Sequence, residues 1–429
     1  MRLLVVGSGG REHTLVWKLA QSPKADNIYA APGNAGIEPL AECLSVKIGA
    51  PDYLADLSDL ALSRGIDLTL VGPEVPLADG IVDHFNSLGL KIFGPSRAAS
   101  ALEASKVWAK DFMSRHRIPT AAYQVFEDSE AAIKYVRERN LPCVVKADGL
   151  AAGKGVTVAA TVEEAVTAIK QAMVDRIFGQ AGDKIVIEER LEGEEASVLA
   201  FSDGETALLM EGVRDYKRVF DQDQGPNTGG MGSYSPAPVV TGELSDIIRR
   251  QMLMPTIKGL AQENRPYCGV LYLGLMITKD GPKLLEYNIR FGDPETQALL
   301  PRLQTDMVTV MQACLEGNLA RIKLEWRRES ACCVVLASAG YPGHYETGKE
   351  IHGLDTQREG VCIFHAGTKR DNGRIVTAGG RVLGMTALGP DLRAASSLAY
   401  QAVDKVAFEG MHYRRDIGRV EVIRADTEK

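Results

Sequence analysis

Three polar side chains recur at every second position of an otherwise apolar run in the second half of the chain. This alternation puts Glu286, Asn288 and Arg290 on one face of a predicted strand, with the apolar residues between them on the other. A carboxylate and an amide oxygen at this spacing suit a hard cation such as Mg²⁺, and the arginine suits a phosphoryl or carboxylate oxygen. The pattern predicts a metal site, with an amphipathic strand carrying a polar outer face as the alternative.

A glycine-rich loop containing lysines lies between two predicted strands, over residues 146–156. Such a loop can fold over phosphates and offer them backbone N–H groups and ammonium charge. It is not a Walker A loop, because Gly149 and Gly153 are one residue too close and Gly155 follows Lys154. We interpret it as a phosphate-covering flap, and an ordinary hairpin turn is the alternative.

A second glycine-rich loop, Gly7–Glu12, follows the first predicted strand and opens a helix. Backbone N–H groups at a helix N-terminus favour an anion. A dinucleotide site would need a third glycine and an acidic residue about 20 positions on. Glu12 replaces that glycine, and the next strand ends in Ala30-Ala31-Pro32 without an acid. The loop therefore predicts a phosphate-bearing substrate rather than NAD, and a tight turn without ligand stays open.

Two further segments carry polar residues suited to small ligands. The strand that ends in Glu188–Leu191 leaves backbone groups that can pair with an adenine edge, and Glu195 could accept ribose hydroxyls. Solvated surface glutamates are the alternative. Asp215–Arg218 precedes the polar loop Gly225–Gly232, and long loops of this kind are often functional, with an ordinary surface loop as the alternative.

Composition excludes several functional classes. With 49 Lys+Arg against 56 Asp+Glu, the net charge of −7 argues against a protein that coats nucleic-acid duplexes. No apolar run approaches the roughly 18 residues that span a bilayer, and the first is too short for a signal peptide. The cysteines and histidines lack metal-ligand spacing, and no nucleophile elbow occurs. We expect a reducing, cytoplasmic compartment and no acyl-enzyme chemistry.

The order of strands and helices around these residues predicts a multidomain protein of α/β and α+β class. Strand, Gly/Pro loop and helix repeat at the start of the chain, which is typical of an open parallel sheet whose loops share one rim. A compact α/β unit follows, and then longer antiparallel strands with a hairpin of Leu271–Thr278 and Lys283–Arg290. The predicted segments are 1–102, a connector over 103–119, 120–192, 193–326 and a last α/β domain over 327–429.

Taken together, these motifs resemble the phosphoribosylamine–glycine ligase family of the ATP-grasp superfamily. The resemblance covers nearly the whole chain, and its most specific part is the run Arg290–Gln297. It implies an ATP-grasp fold with an N-terminal Rossmann-like domain, a lid over 120–192, a central subdomain over 193–326 and a C-terminal domain. It also implies the ATP-dependent joining of glycine to 5-phosphoribosylamine in purine biosynthesis, through an acyl phosphate.

The resemblance further implies roles for individual residues. The implied ATP site comprises Lys106, Lys146, Asp148, Gly149, Gly153, Lys154, Gly155, Glu188, Glu189, Leu191 and Glu195. Glu286 and Asn288 would hold Mg²⁺ or Mn²⁺, and Arg290 and Lys146 would act in catalysis. The implied substrate-binding set comprises Gly9, Gly10, Arg11, Glu12, Asp215, Lys217, Asn227, Thr228, Gly229, Gly230, Arg290, Asp293 and Pro294.

We expect small-molecule substrates and neither nucleic acid nor membrane as a partner, and we leave open a transient contact with the enzyme that supplies phosphoribosylamine. A second enzyme hypothesis is another ATP-grasp ligase or carboxylase with a different acceptor. A hypothesis from another class is a nucleotide-binding regulatory protein whose ligase site has decayed, against which the intact Glu286, Asn288 and Arg290 face argues. A dehydrogenase is disfavoured by the incomplete dinucleotide motif.

Overall fold

The computed structural model describes residues 1–150, 155–355 and 359–419. Gly153 and Lys154, which were predicted to bind ATP, lie outside the described residues. All seven cysteines are free thiols. Among the described residues, every helix is too short or too polar to cross a bilayer.

A parallel sheet forms the N-terminal unit, as predicted, in the order β3-β2-β1-β4-β5. Its elements are β1 (Arg2–Gly7), α1 (Gly10–Leu19), β2 (Asn27–Pro32), β3 (Glu42–Cys43), α2 (Tyr53–Arg64), β4 (Leu68–Val71), α3 (Glu74–Asp79), α4 (Ile81–Ser87) and β5 (Ile92–Phe93). The strand order reverses at β1, so the loop after Gly7 opens into the crevice where such sheets bind ligands. Helix α1 begins inside the glycine-rich loop, at Gly10, where Glu12 Oε2 accepts the Gly9 N–H at 2.5 Å and stabilises the first turn.

Two helices connect this unit to an antiparallel sheet of order β6-β9-β7-β8, here called the lid sheet. The elements are α5 (Ala101–Ala104), α6 (Lys106–Arg115), β6 (Tyr123–Phe126), α7 (Ser129–Arg139), β7 (Cys143–Ala147), β8 (Val156–Ala159), α8 (Val162–Ile169) and β9 (Ile185–Glu189). Helix α8 continues into a π-helical turn over Lys170–Val174. Apolar side chains of both helices α7 and α8 pack on one face of the sheet and form its core, which matches the compact α/β unit that was predicted.

A second antiparallel sheet, the central sheet, has the order β11-β10-β16-β17. The elements of this part of the chain are β10 (Glu194–Asp203), β11 (Ala207–Leu209), β12 (Arg214–Asp215), β13 (Arg218–Phe220), β14 (Gln224–Asn227), β15 (Gly232–Ser235), α9 (Gly242–Ile248), α10 (Met254–Gln262), β16 (Cys268–Thr278), β17 (Gly281–Asn288), α11 (Glu295–Leu299) and α12 (Met307–Leu315). The predicted hairpin is present as β16 and β17, although β17 ends before Arg290. A bulge leaves Leu285 without a partner residue in β16, which frees its carbonyl from the strand ladder.

The C-terminal sheet has the order β12-β15-β18-β22-β19 and carries a helix against it. The remaining elements of this part of the chain are β18 (Ser330–Ala337), β19 (Val361–His365), β20 (Thr368–Asp371), β21 (Arg374–Thr377), β22 (Arg381–Gly389) and α13 (Leu392–Val403). Strands β20 and β21 pair with each other in a separate two-stranded sheet. Two of its strands, β12 and β15, come from the segment predicted to be the central subdomain. The polypeptide thus crosses between the two sheets, and the predicted domain boundaries stay a prediction.

Candidate active site

Four cations from four segments surround the carboxylate of Glu286 on β17. Burial alone would raise the pKa of Glu286, but Lys217, Lys146, Lys106 and Arg290 together hold this pKa below its ordinary value. The carboxylate is therefore ionised at neutral pH. Such a concentration of positive charge close to one buried acid favours the approach of further anions to this part of the site.

The oxygen atoms of Glu286 and Asn288 fit a hard divalent cation. Within residues 1–150, 155–355 and 359–419, no hydrogen bond or ion pair reaches the Glu286 carboxylate. Asn288 Oδ1 accepts one bond, from Arg290 Nη2 at 3.3 Å, and keeps a second lone pair. No group of three His, Cys, Asp or Glu in the described chain could hold a metal. Two protein oxygens would leave positions for phosphate oxygens and water, as Mg²⁺ prefers.

Arg290 is held in place by two carboxylates from the N-terminal half of the chain. Its Nε donates to Glu74 Oε2 at 3.2 Å, and its Nη2 donates to Glu103 Oε1 at 3.3 Å. With the bonds to Asn288 Oδ1 and to the Phe291 carbonyl, four of the five guanidinium N–H groups are used. The acids raise the pKa of Arg290 against the effect of burial. The guanidinium is oriented before any substrate binds and has one N–H group to offer without exchanging a partner.

Lys146, on β7, shares a buried carboxylate with a second lysine. Lys146 Nζ lies 2.8 Å from Glu188 Oε1 and donates to the free carbonyl of Leu285 at 3.0 Å. Lys110 Nζ lies 3.1 Å from the same Glu188 oxygen. All three charged side chains are at most 5% exposed. The Glu188 side chain therefore points inward to the lysines. Only the backbone of Glu188 is left to contact a nucleotide base.

Lys106 ties the start of the predicted flap to helix α6. Its Nζ donates to the Gly149 carbonyl at 2.9 Å. The Asp148 carboxylate accepts from Ser105 Oγ at 3.2 Å and from the Val107 N–H at 3.1 Å, both at the N-terminus of α6. Burial lowers the pKa of Lys106, and Glu286 is the acid that most opposes this effect. The flap therefore leaves the lid sheet from an anchored position, and Gly155 rejoins it immediately before β8.

The acids predicted to meet adenine and ribose lie at the end of β9 and the start of β10. Glu189 Oε1 accepts the Ala122 N–H at 2.8 Å on the exposed side of the sheet. Leu191 is half-buried. Glu195 Oε2 lies 3.1 Å from Lys217 Nζ, so this carboxylate is in reach of the cation cluster around Glu286.

The loop that joins β14 to β15 lies against the turn that contains Asp293. Arg381 Nη1 donates to the carbonyls of Gly229 and Asp293, both at 2.6 Å, and so connects the two segments. Gly230 adopts a φ of +111°, and a Cβ there would lie 2.3 Å from Pro294 Cδ, so only glycine fits. Thr228 Oγ1 donates to the Lys217 carbonyl at 2.9 Å. Asn227 pairs with Arg218 across the β13–β14 hairpin.

The N-terminal loop approaches the same turn from the other side. The Arg11 N–H lies 3.4 Å from Asp293 Oδ2, and Arg11 Nη1 donates to the Phe291 carbonyl at 3.1 Å. Arg11 Nε also pairs with Glu12 Oε1 at 2.5 Å. A Cβ at Gly10 would lie 2.6 Å from Gln297 Nε2, which shows how closely the helix meets the turn. Three predicted substrate segments thus meet at Asp293.

Asp215 lies among acids and a single lysine. Burial raises its pKa to about 7, and Lys217 opposes this while Glu295, Glu195 and Glu286 add to it. Glu195, Asp215 and Glu286 raise the pKa of Lys217 well above its ordinary value, against the effect of burial. Lys217 is therefore charged and balances the carboxylates around it.

Sequence reasoning missed four charged residues at the site: Glu74, Glu103, Lys110 and Arg381. A signal existed for Lys110, because it follows Lys106 by one helical turn and therefore shares its face of α6. Glu74 and Arg381 follow short glycine-containing runs, which is a weak signal for a functional loop. A single charged residue in such a run is usually exposed to solvent. Nothing near Glu103 in the sequence distinguishes it.

The sequence matches three domain families that together cover most of the chain. They are described as phosphoribosylglycinamide synthetase N domain over residues 1–103, its ATP-grasp (A) domain over 104–296 and its C domain over 331–420. The chain belongs to the phosphoribosylglycinamide synthetase family.

Relatives of the family match over almost the full length. A phosphoribosylamine–glycine ligase of Vibrio cholerae is 52% identical, over 97% of this chain and 98% of that protein. One of Caldanaerobacter subterraneus is 49% identical, over 97% of this chain and 99% of that protein. The crystal structure of phosphoribosylamine–glycine ligase from Thermotoga maritima is 34% identical, with a TM-score of 0.83 over 97% of this chain and 100% of that chain.

A likeness of fold alone extends further. The biotin carboxylase domain of Hydrogenobacter thermophilus 2-oxoglutarate carboxylase matches with a TM-score of 0.74 at 16% identity, over 96% of this chain and 91% of that domain. The family, the multidomain ATP-grasp fold and the enzyme class predicted from the sequence are thereby confirmed for this phosphoribosylglycinamide synthetase family member. The individual site residues stay predictions.

Proposed function

We propose that this chain joins glycine to 5-phosphoribosylamine, with ATP converted to ADP and phosphate, and so makes glycinamide ribonucleotide for purine biosynthesis. Relatives about half identical over nearly the whole chain bear that ligase's name. The observation that carries the mechanism is the set of four cations around the ionised Glu286 carboxylate. A reaction that brings ATP and a carboxylate together needs this concentration of positive charge.

Lysine side chains and the flap receive the nucleotide. Lys106 and Lys146 contact the phosphates, and the flap that begins at Gly149 folds over them. The backbone of Glu188–Leu191 lies against adenine, and Glu195 accepts the ribose hydroxyls. Support comes from the burial of Lys146, the partial burial of Lys106 and their common neighbour Glu286, since charges in a site of low dielectric attract phosphate more strongly than exposed charges do.

Glu286 and Asn288 hold the divalent cation, Mg²⁺ or Mn²⁺. When bound, such a cation neutralises phosphate charge and aligns the reacting phosphoryl group. The Glu286 carboxylate, which is ionised and which no hydrogen bond or ion pair from the described residues reaches, supports this assignment. Arg290 Nη2, which donates to Asn288 Oδ1, orients the amide so that its remaining lone pair faces away from the guanidinium.

The chemistry proceeds in two steps. A glycine carboxylate oxygen forms a bond to the terminal phosphorus of ATP, and ADP leaves with the electrons of the broken P–O bond. The amine of phosphoribosylamine then attacks the acyl carbon and loses a proton, and phosphate leaves. Arg290 offers its remaining N–H group to the glycine carboxylate or to the transferring phosphoryl group. Charge neutralisation and positioning suffice for both steps, so no protein nucleophile is required.

The phosphoribosylamine binds where three segments meet at Asp293. The N-terminus of α1, at the loop Gly9–Glu12, receives its phosphate through N–H groups other than those of Gly9 and Arg11, which already donate to the Glu12 and Asp293 carboxylates. The Asp215–Lys217 segment and the loop Asn227–Gly230 close over the amine from the other side, with Asp293 and Pro294 between the two. The contacts of Arg11 and Arg381 with the Asp293 turn support this placement.

The reaction is tested by ADP release with Mg-ATP, glycine and freshly generated phosphoribosylamine, and with each substrate omitted in turn. We expect ADP release to require both substrates and the product to have the mass of glycinamide ribonucleotide. Release that ignores glycine, or that responds to another acid or to bicarbonate, would instead identify a different ATP-grasp ligase or carboxylase. Tight ATP binding without ADP release would favour a regulatory protein.

We also propose a cytoplasmic location and a transient contact with the enzyme that supplies phosphoribosylamine. The free state of all seven cysteines is consistent with a reducing compartment. The contact is tested by separating the two enzymes with a dialysis membrane that small molecules cross. Slower product formation than in a mixed solution supports direct contact, and equal rates at equal phosphoribosylamine concentration contradict it.

A further inference from the structure

Two buried lysines share one oxygen atom at the base of the lid sheet. Lys110 Nζ and Lys146 Nζ lie 3.1 and 2.8 Å from Glu188 Oε1. Lys110 also donates to Thr120 Oγ1 at 2.7 Å and lies 5.7 Å from the centre of the Tyr123 ring. Lys110 is 2% exposed, so its ammonium group is enclosed by protein.

The same cluster connects the lid sheet to the central sheet. Lys146 donates to the Leu285 carbonyl, which the bulge in β17 leaves free. Thr120 Oγ1 donates to the neighbouring Leu284 carbonyl at 2.6 Å. Lys110 therefore contacts one residue of each connection: Glu188, which pairs with Lys146, and Thr120, which donates to β17.

Two ammonium groups against one carboxylate leave a surplus positive charge in a buried place. Such a surplus costs free energy until an anion compensates it. Consistently, burial lowers the pKa of Lys110 to about 8, although Glu188 opposes the effect and Lys146 adds to it. Without Lys110, Glu188 would neutralise Lys146 alone, and the attraction between Lys146 and a phosphate would be weaker.

We propose that Lys110 is a positioning residue for ATP binding: by sharing Glu188, it keeps the ammonium group of Lys146 available to the nucleotide phosphates. This inference rests on the proposed function only in placing ATP phosphates at Lys146. Lys110 does not contact the nucleotide in this proposal. It acts on Lys146 through the carboxylate of Glu188.

The test is a double-mutant cycle on the full chain, with the dissociation constant of Mg-ATP measured by calorimetry without glycine or phosphoribosylamine. Lys110→Met removes the charge and retains a long side chain. We expect it to weaken ATP binding about tenfold in the wild-type background. In the Glu188→Gln background, where Lys110 and Lys146 no longer share a carboxylate, we expect Lys110→Met to change binding by less than about threefold.

Equal losses in the two backgrounds, or no loss in either, would overturn the proposal, because a residue needed only for packing has no reason to depend on Glu188. Unchanged ATP binding in Lys146→Met would overturn it as well. Lys258→Met, at an exposed position of α10, is the matched control and should bind ATP as the wild type does. If Lys110→Met fails to fold, Lys110→Gln takes its place in the same cycle.

The outcome is separable from that of the proposed function. A wild-type chain that binds Mg-ATP but does not consume it with glycine and phosphoribosylamine would refute the proposed reaction. The binding cycle would still decide the role of Lys110, since it uses neither of those substrates.

Discussion

Arg290 Nε lies 3.2 Å from Glu74 Oε2, so a guanidinium that follows the central sheet is held by a carboxylate at the start of helix α3. Glu103, from the connector, holds the same guanidinium and also accepts the Ile289 N–H at 2.7 Å. The N-terminal unit therefore does more than contribute a predicted substrate loop. It determines the orientation of a group in the region where phosphate transfer is proposed.

Replacement of Arg290 by lysine should lower kcat about 100-fold, because a single ammonium group cannot meet Glu74, Glu103 and a substrate oxygen at once. The measurement is steady-state ADP release at saturating substrates. Arg249→Lys, at an exposed position beyond α9, is the control and should retain wild-type kcat. A fully active Arg290→Lys enzyme would remove Arg290 from catalysis.

Glu286→Ala should abolish metal-dependent turnover, with a loss of at least about 100-fold that excess Mg²⁺ does not restore. Because no hydrogen bond or ion pair from the described residues reaches this carboxylate, we expect the variant to keep its circular dichroism spectrum. Glu243→Ala, on the exposed side of α9, provides the comparison. Near-wild-type activity at saturating Mg²⁺ would contradict the assignment of Glu286 as a ligand.

Arg381→Met should raise the KM for phosphoribosylamine about tenfold and leave the KM for ATP unchanged. The arginine donates charged hydrogen bonds to the Gly229 and Asp293 carbonyls, and bonds of this kind contribute about 1.5–3 kcal/mol each. Their loss should loosen the loop only where the amine substrate binds. Arg393→Met, on the exposed face of α13, is the control, and an equal rise in both KM values would indicate general loss of structure instead.

Acidification should destabilise the protein through His13, at the contact between α1 and β19. His13 Nδ1 accepts the His365 backbone N–H at 2.8 Å, which requires an unprotonated nitrogen. Burial, with a contribution from His365, lowers the pKa of His13 to about 3. The unfolded chain takes up this proton near pH 6.5 and the folded chain does not, so stability falls as pH drops from about 6.5 towards 3.

This effect should lower the free energy of unfolding by about 2 kcal/mol between pH 7 and pH 5. Urea unfolding at the two pH values measures it, and His13→Gln should reduce the difference because glutamine does not titrate. His352→Gln, at an exposed position, should leave the difference as in the wild type. The same pH dependence in wild type and His13→Gln would show that His13 is not its source.

Elements with a local signal could be predicted from the sequence. The N-terminal parallel sheet was marked by apolar runs that end in Gly/Pro loops, and the β16–β17 hairpin by its alternation and by Asp280-Gly281. The place of β12 and β15 in the C-terminal sheet could not be predicted. These strands are too short to show a period, and their partners lie far along the chain.

The candidate site divides in the same way. The face of Glu286, Asn288 and Arg290 followed from alternation, and these residues do lie together. The burial of Lys110 and Glu103 is a property of tertiary packing, since an isolated charged residue on a helix is usually exposed. No pattern along the chain distinguishes a buried charged residue on a helix from an exposed one.

The place of β15 in the C-terminal sheet has a consequence for synthesis of the chain. Ser235 of β15 pairs with Ala331 of β18. A ribosome that adds about 5–20 residues per second reaches Ala331 roughly 5 to 20 s after Ser235. During that time the nascent protein carries β15 without its neighbour on one edge. The Gly229-Gly230 loop that precedes it gains the Arg381 donor still later. Ordering of this predicted substrate loop is therefore a late event, completed when the last quarter of the polypeptide has left the ribosome.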